Sequence, residues 1–145
     1  DAIKSGPLAG YPVVDVEMEI FDGSYHPVDS NTDTFKITAT YGLKEVMKKA
    51  KPVLLEPVMN VTIGVPEEHV GSVTGYISSK RGIPKGMTAR GKLQEINAEV
   101  PLAELFGYVS DLRNLTSGTA IPTMDFSHYA QVPSGVQKEI TGDTN

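Results

Sequence analysis

The chain has 145 residues, of which 39% are hydrophobic and 21% are charged, and this balance is typical of soluble globular proteins. No apolar run approaches the roughly 20 residues that a membrane-spanning helix needs, and the first residues lack the basic start and apolar stretch of a secretory signal. The sequence contains no cysteine, which excludes a disulfide scaffold and a thiolate zinc site. A cytoplasmic protein is therefore the expectation.

The net charge of −5 does not favour general binding to nucleic acids, because phosphate recognition usually requires a basic surplus. Two basic groups are nevertheless concentrated in short windows. Residues 80–92 contain no acid, and their basic residues are Lys80, Arg81, Lys85, Arg90 and Lys92. The other group consists of Lys44, Lys48, Lys49 and Lys51. Composition favours two solvated faces, although local patches on an acidic body also suit docking onto one RNA feature.

The first 56 residues predict one strand and one helix. Residues 13–20 alternate strictly and predict a half-buried strand, with one face formed by Val14, Val16, Met18 and Ile20. A polar loop follows over residues 24–31. From Asp33 the apolar residues recur at steps of three and four, which predicts an amphipathic helix that stops at Pro52. Its apolar stripe is Phe35, Ala39, Leu43, Val46, Met47 and Ala50.

Residues 57–129 predict a second unit, with the element order strand, helix, strand, strand, helix, strand. Alternation predicts the strands, while Pro66 and Pro101 each precede a helical stripe. This order is that of the split-βαβ, or ferredoxin-like, fold. We therefore expect a four-stranded antiparallel sheet with both helices on one face. The residues expected to be buried in its single core are Ile63, Phe106, Val109 and Phe126.

No catalytic constellation is evident in the sequence. The Gly-Lys-Ser/Thr ending of a Walker-type phosphate loop is absent, so we expect no GTP or ATP binding of that kind. Ser127 and His128 are neighbours on a predicted strand, where successive side chains point to opposite faces and cannot form a catalytic couple. The histidines, at positions 26, 69 and 128, lie on separate elements without metal-ligand spacing. No catalytic or metal-binding residue is therefore predicted.

Several strings of the sequence resemble the elongation factor G family of translational GTPases. Residues 6–13 (GPLAGYPV) and 25–30 (YHPVDS) are similar to domain IV of that family, and residues 52–57 (PVLLEP) to the junction between domains IV and V. Residues 100–108 (VPLAELFGY) and 124–129 (MDFSHY) are similar to domain V of the family. The resemblance covers nearly the whole chain, in order and with consistent spacing.

The resemblance implies an α+β fold, in which a partial domain IV of the ribosomal protein S5 domain 2-like type precedes a ferredoxin-like βαββαβ domain V. Residues 1–56 are then the C-terminal half of domain IV, residues 57–133 domain V, and residues 134–145 a C-terminal tail. The chain is expected to be a non-catalytic fragment without a cofactor. GTP and Mg²⁺ would belong to the GTPase domain of the full-length parent.

The family also implies a role in GTP-dependent movement of tRNA and mRNA through the ribosome. Domain IV of the family enters the decoding region of the small subunit, and domain V faces the sarcin-ricin loop and the stalk-base proteins. By position in the family, Tyr25, His26, Asp29 and Ser30 are expected at the domain IV tip, next to the tRNA-mRNA duplex. Imidazole can hydrogen-bond to phosphate or a 2′-hydroxyl, or stack on a base. The basic residues of the window 80–92 are expected to face ribosomal RNA.

Two alternatives stay open, the first because the chain departs from the family pattern. Residues 117–120 (Ser-Gly-Thr-Ala) stand where the family usually has Gln-Gly-Arg-Gly, and Pro27, Asn31 and Thr32 replace acids that are common in the tip loop. A paralogue that acts in ribosome recycling is therefore one alternative. The other, from a different class, is a ferredoxin-like regulatory module that binds a metabolite or a partner protein, since this topology serves many functions.

Overall fold

The structure, a computed structural model, describes residues 2–142. Its helices and strands are, in order, α1 (Thr32–Lys49), β1 (Leu55–Val65), α2 (Val70–Ser79), β2 (Ile83–Arg90), β3 (Leu93–Pro101), α3 (Tyr108–Leu115), β4 (Ile121–Gln131) and α4 (Ser134–Thr141). Short 3-10 turns cover Ala2–Lys4, Glu67–His69 and Leu102–Glu104. The chain divides into two compact units: the sheet unit, Leu55–Gln131, and the helical unit, made of the residues on either side of it.

The predicted helix of the helical unit is confirmed as α1. Asn31 caps its start, because the Asn31 side-chain oxygen accepts a hydrogen bond from the Thr34 backbone N–H at 2.9 Å. Lys48 and Lys49 occupy the last turn, where cations suit the negative end of the helix dipole. Leu43 and Met47 are the buried residues of its apolar stripe.

The predicted strand over residues 13–20 is wrong. No strand is present among residues 2–54, and the alternating residues are exposed, with Val14 at 59% and Ile20 at 74%. A strand requires a ladder of backbone hydrogen bonds to a neighbour. The backbone hydrogen bonds next to this segment are isolated ones, from the Val13 N–H to Ile3 O at 2.7 Å and from the Gly6 N–H to Tyr11 O at 2.8 Å. The alternation of residues 13–20 is compatible with a strand, but residues 2–54 contain no neighbouring strand with which the segment could pair.

The C-terminal residues contain one helix that the sequence did not indicate. Helix α4 follows Pro133 directly, and it is tied to the end of the first segment through Leu54. The Leu54 N–H donates to Gln137 Oε1 at 3.2 Å, and the Leu54 carbonyl accepts from the Val132 N–H at 2.9 Å. The last part of the expected C-terminal tail, residues 143–145, lies outside the described residues. Among residues 2–142, no helix combines the length and the apolar composition that a bilayer span requires.

The ferredoxin-like prediction for the sheet unit is confirmed. Its four strands are antiparallel and lie in the order β2-β3-β1-β4. In the centre, Ile63 of β1 lies opposite Ile96 of β3 and Pro122 of β4. Both helices pack on one face of the sheet, since a single core contains residues of α2, α3 and alternate positions of β1 and β3. That core is Val61, Ile63, Val65, Val73, Ile77, Ile96, Ala98, Val100, Leu105, Tyr108, Leu112 and Ala120.

The predicted core residues are partly wrong. Ile63 is buried and Val109 packs against the core, but Phe106 is 80% exposed and Phe126 is 55% exposed. The helix predicted from Pro101 is divided, because Gly107 adopts a left-handed φ of 79° before α3 begins. Phe106 therefore lies on a turn instead of the helical stripe. Phe126 lies on the edge strand β4, where its ring contacts Tyr129 with centroids 5.3 Å apart.

The turn between α3 and β4 carries backbone strain at one residue. Thr116 is fully buried, and its hydroxyl donates to Leu112 O at 2.7 Å and accepts from the Ala120 N–H at 3.0 Å. These bonds hold Ser117 at a φ of 51°, in the left-handed region, before Gly118 at 81°. Left-handed conformations cost a residue with a Cβ about 1 kcal/mol or more.

Ser117→Gly is therefore expected to raise the free energy of unfolding by about 0.5 kcal/mol. Glycine removes the steric cost of the left-handed conformation, but it also gives the unfolded chain more conformational entropy, which offsets part of the stabilisation. Urea unfolding followed by circular dichroism measures the change. The control is Ser110→Gly in α3, where an ordinary helical residue should instead lose about 0.5 kcal/mol. A loss at both positions would show that Ser117 is not strained.

Candidate functional site

The tip loop, residues 24–31, is closed by two reciprocal hydrogen bonds. The His26 N–H donates to Ser30 Oγ at 2.7 Å, and the Ser30 N–H donates to His26 O at 2.9 Å. Asn31 follows at once as the cap of α1. Asn31, which stands where the family often has an acid, thus serves as a helix cap, and asparagine is among the residues that cap helices best.

The side chains of the tip loop face solvent. Tyr25 is 68% exposed and Val28 91% exposed, and His26 and Asp29 are also in the exposed class. Because the turn uses the backbone of His26 and not its imidazole, the ring is available to an external partner. In residues 2–142 no group of three or more acidic or histidine side chains could hold a metal ion. The loop can therefore present an imidazole, a phenol and a carboxylate together, but it offers no enclosed reaction site.

The five basic residues of the window 80–92 are not brought together. Arg81 precedes β2 and Arg90 ends it, so they lie up to roughly 30 Å apart along the strand at about 3.3 Å per residue. Lys85 pairs with Glu99 at 2.8 Å and Arg90 with Glu95 at 3.0 Å. Acids of the adjacent strand β3 thus offset much of the charge. That these residues face ribosomal RNA stays a prediction.

Lys80 and Arg81 make contacts within the sheet unit. The Lys80 ammonium lies 5.6 Å from the centre of the Tyr76 ring, within the range of a cation–π contact. The Tyr76 hydroxyl donates to Asp111 at 2.8 Å, and burial together with this bond raises the pKa of Tyr76 well above its usual range. Lys92 lies exposed in the turn between β2 and β3.

Arg81 forms what we term the arginine clamp, with Glu56 of β1 and Glu104 of the 3-10 turn. Its guanidinium binds both Glu56 oxygens, at 2.7 and 2.9 Å, and donates from Nε to Glu104 at 2.8 Å. The three side chains are 27%, 12% and 32% exposed, in the order Arg81, Glu56 and Glu104. The hydrogen bond to Glu56 is the largest reason why the pKa of Arg81 is held above its usual range. Arg81 itself has a left-handed φ of 55°, and the clamp links β1 to the 3-10 turn Leu102–Glu104.

The expectation that Ser127 and His128 cannot contact each other is wrong. Ser127 Oγ lies 2.9 Å from His128 Nδ1. The reason is a β-bulge, in which Val58 lies opposite His128 and Met59 opposite Phe126, so that Ser127 has no partner on β1. A bulge re-aims side chains that strict alternation would separate.

This contact does not create a catalytic site. Both residues lie on an edge strand of the sheet, and the nearby carboxylate, Glu99, is engaged by Lys85. The hydrogen bond from Lys85 is the main reason why the pKa of Glu99 lies below its usual range, with smaller contributions from His128 and Ser127. A nucleophile also needs a base that is oriented by a third group. Because Lys85 holds Glu99, this carboxylate does not orient the ring in that way.

Comparison with known families covers both units. The model described as elongation factor G, domain IV matches residues 1–51, and the model described as elongation factor G C-terminus matches residues 53–140. The chain belongs to the elongation factor G family. A protein from Thermus thermophilus with a known crystal structure shares 42% sequence identity with this chain, and the match covers 98% of this chain with a TM-score of 0.84. The chain spans only 22% of the length of that protein.

The sequence alone did not indicate the acidic partners of the basic residues in the window 80–92. Glu56 and Glu104 are far from Arg81 in sequence, and only the sheet topology brings them together. One signal was available for Glu95 and Glu99: they alternate with the buried residues of β3, so they had to lie on the face opposite the helices. The bulge at Ser127 had no comparable signal in the sequence.

Proposed function

We propose that this chain is the ribosome-binding, C-terminal part of an elongation factor G-type translational GTPase, and that the full-length protein moves tRNA and mRNA through the ribosome. The observation that carries the proposal is the match of two consecutive elongation factor G domains across both units. Such a match over both units speaks against a separate regulatory module that binds a metabolite.

In this proposal the tip loop contacts the tRNA-mRNA duplex in the decoding region. Support comes from the exposure of Tyr25, His26 and Asp29 and from the closed turn that presents them. The sheet unit would face the sarcin-ricin loop and the stalk-base proteins. GTP and Mg²⁺ would bind to the GTPase domain of the full-length protein, so we expect the present chain alone neither to bind nor to hydrolyse GTP.

The test is His26→Ala in the full-length protein. Losing one hydrogen bond or stacking contact that forms during movement is expected to slow translocation on the order of tenfold, since about 1.4 kcal/mol corresponds to that factor. Ribosome-stimulated GTP hydrolysis should stay nearly unchanged, because it depends on contacts of another domain. Stopped-flow measurements of tRNA movement and of phosphate release give the two rates.

The control is Val28→Ala, a substitution in the same loop at a side chain that is 91% exposed; it should change neither rate. Equal losses in both rates, or no loss in either, would contradict the role of His26. A normal translocation rate with slower subunit splitting would favour the recycling paralogue, for which the uncharged loop 117–120 is the motivating observation.

A further inference from the structure

Helix α1 carries a second surface that the tip loop does not account for. The residues Ile37, Tyr41, Lys44 and Lys48 recur at positions i, i+4, i+7 and i+11, so they form one line along the helix. We term this line the basic stripe. All four side chains are exposed, with Ile37 at 57%, Tyr41 at 70% and Lys48 at 64%.

The basic stripe lies away from the side of α1 that faces residues 17–22. Residues 17–22 run beside Ala39, Gly42 and Val46, and these positions lie on average about half a turn around the helix from the stripe, at about 100° per residue. The acids of that segment, Glu17, Glu19 and Asp22, are therefore on the opposite flank. Among the described residues of the helical unit, nothing covers the stripe.

The charge of the stripe is little offset. Glu45 lies 3.5 Å from Lys48, but their side chains are 65% and 64% exposed, and such pairs contribute little. Asp33 lies in the first turn, roughly 16 Å along the axis from Lys44. Within residues 2–142, no salt bridge involves Lys44, Lys49 or Lys51. The basic stripe is thus a locally positive face on a chain of net charge −5. Such a face attracts anionic partners.

The helix dipole explains only part of this pattern. It favours cations in the last turn, where Lys48 and Lys49 lie. It does not explain Lys44, one turn earlier, or the exposed Tyr41 ring on the same line. Lysines beside an exposed aromatic ring are a combination that binds nucleic acid, because the ammonium groups contact phosphates and the ring stacks on a base.

We propose that the basic stripe of α1 docks on the phosphate backbone of ribosomal RNA. This inference rests on the proposed function and extends it, because Lys44 lies about 18 Å along α1 from the helix start at the tip loop. The helical unit then contacts RNA along its length and not only at its tip. Lys44 and Lys48 supply the electrostatic contacts, and Tyr41 supplies the stacking surface.

The experiment measures ribosome binding by the full 145-residue chain as a function of salt. The double variant Lys44→Gln/Lys48→Gln removes two charges and keeps good helix formers. It should lower the slope of log affinity against log salt by about two and weaken binding on the order of tenfold at about 0.1 M salt. The matched control, Lys4→Gln/Lys138→Gln, removes two charges from the same unit and should keep the slope. Circular dichroism checks that both variants are folded.

A second readout separates RNA from protein as the partner. Irradiation of the chain bound to ribosomes, followed by nuclease digestion and mass spectrometry, should find a nucleotide attached to the peptide that contains Tyr41. Equal slopes for the two double variants, or a Tyr41 peptide linked only to ribosomal protein, would overturn the inference and leave the proposed function standing. Absence of binding by the unaltered chain would overturn both.

Discussion

Arg81→Met is expected to lower the free energy of unfolding of the sheet unit by about 3 kcal/mol. The substitution keeps an apolar chain of similar length but removes the three hydrogen bonds of the arginine clamp, two to Glu56 and one to Glu104. The Glu56 side chain is only 12% exposed, so its charge would remain largely desolvated without a partner. Removing one member of such a pair costs more than the pair contributes. Urea unfolding with a linear extrapolation measures the difference.

Arg90→Met is the matched control, because Arg90 pairs with Glu95 while its own side chain is 79% exposed. Exposed pairs contribute about 0.5 kcal/mol or less. If the two variants lose equal stability, the clamp is a surface interaction. A double-mutant cycle that adds Glu56→Gln should recover part of the loss in the Arg81 background, because the unpaired charge is then absent.

Gly82→Ala is the second substitution with a large expected effect, a loss of about 3 kcal/mol in the free energy of unfolding. A Cβ at this position would lie 2.6 Å from the backbone oxygen of Ile77 and 2.5 Å from its Cγ2 atom. The backbone oxygen cannot move freely, because it accepts the N–H groups of Lys80 and Gly82 at 3.0 Å. Either the end of α2 shifts or these bonds lengthen, and overpacking of this kind costs about 1–3 kcal/mol or more.

Gly86→Ala in the adjoining strand β2 is its control. An added Cβ at position 86 meets nothing within 4 Å, so the change should stay within about 0.5 kcal/mol. Thermal and urea unfolding of both variants give the comparison. Similar stability of the two proteins would mean that the close approach of Gly82 to Ile77 relaxes without cost.

The elements that local chemistry specifies were predictable from the sequence. Strands β1 and β3 alternate between buried and polar residues, and α1 has an asparagine cap and basic residues in its last turn. In such segments hydrophobic period and end chemistry agree, and the element order then restricts the topology. The ferredoxin-like order of the sheet unit followed from these signals.

The errors arise where non-local packing decides the outcome. Residues 13–20 have the period of a strand, but a period does not supply the neighbour that a strand needs. Phe106 continues a helical stripe in sequence, yet Gly107 turns the chain before α3 begins. At Ser127 one extra residue in β4 changes which face each later side chain occupies, and alternation cannot reveal such a shift.

In the candidate site, too, the local features could be predicted from the sequence and the non-local contacts could not. The exposed tip loop was located from a family resemblance and from its polar composition, which excludes deep burial. Residues 80–92 contain no acid in sequence, but their acidic partners come from other elements: Glu95 and Glu99 from β3, and Glu56 from β1. The arrangement of ion pairs across strands depends on register, and single-sequence patterns do not specify register between distant segments.

The order of the two units along the chain has a consequence for biosynthesis. The sheet unit is one continuous stretch, Leu55–Gln131, whereas the helical unit is made of a stretch before it and a stretch after it. During synthesis the sheet unit can therefore fold as soon as β4 has emerged. The helical unit is complete only after α4 has also been made. Domains generally fold in the order in which they leave the ribosome. Here residues 2–54 are made before the sheet unit, but the hydrogen bonds of Leu54 to Val132 and Gln137 can form only after the sheet unit has been made.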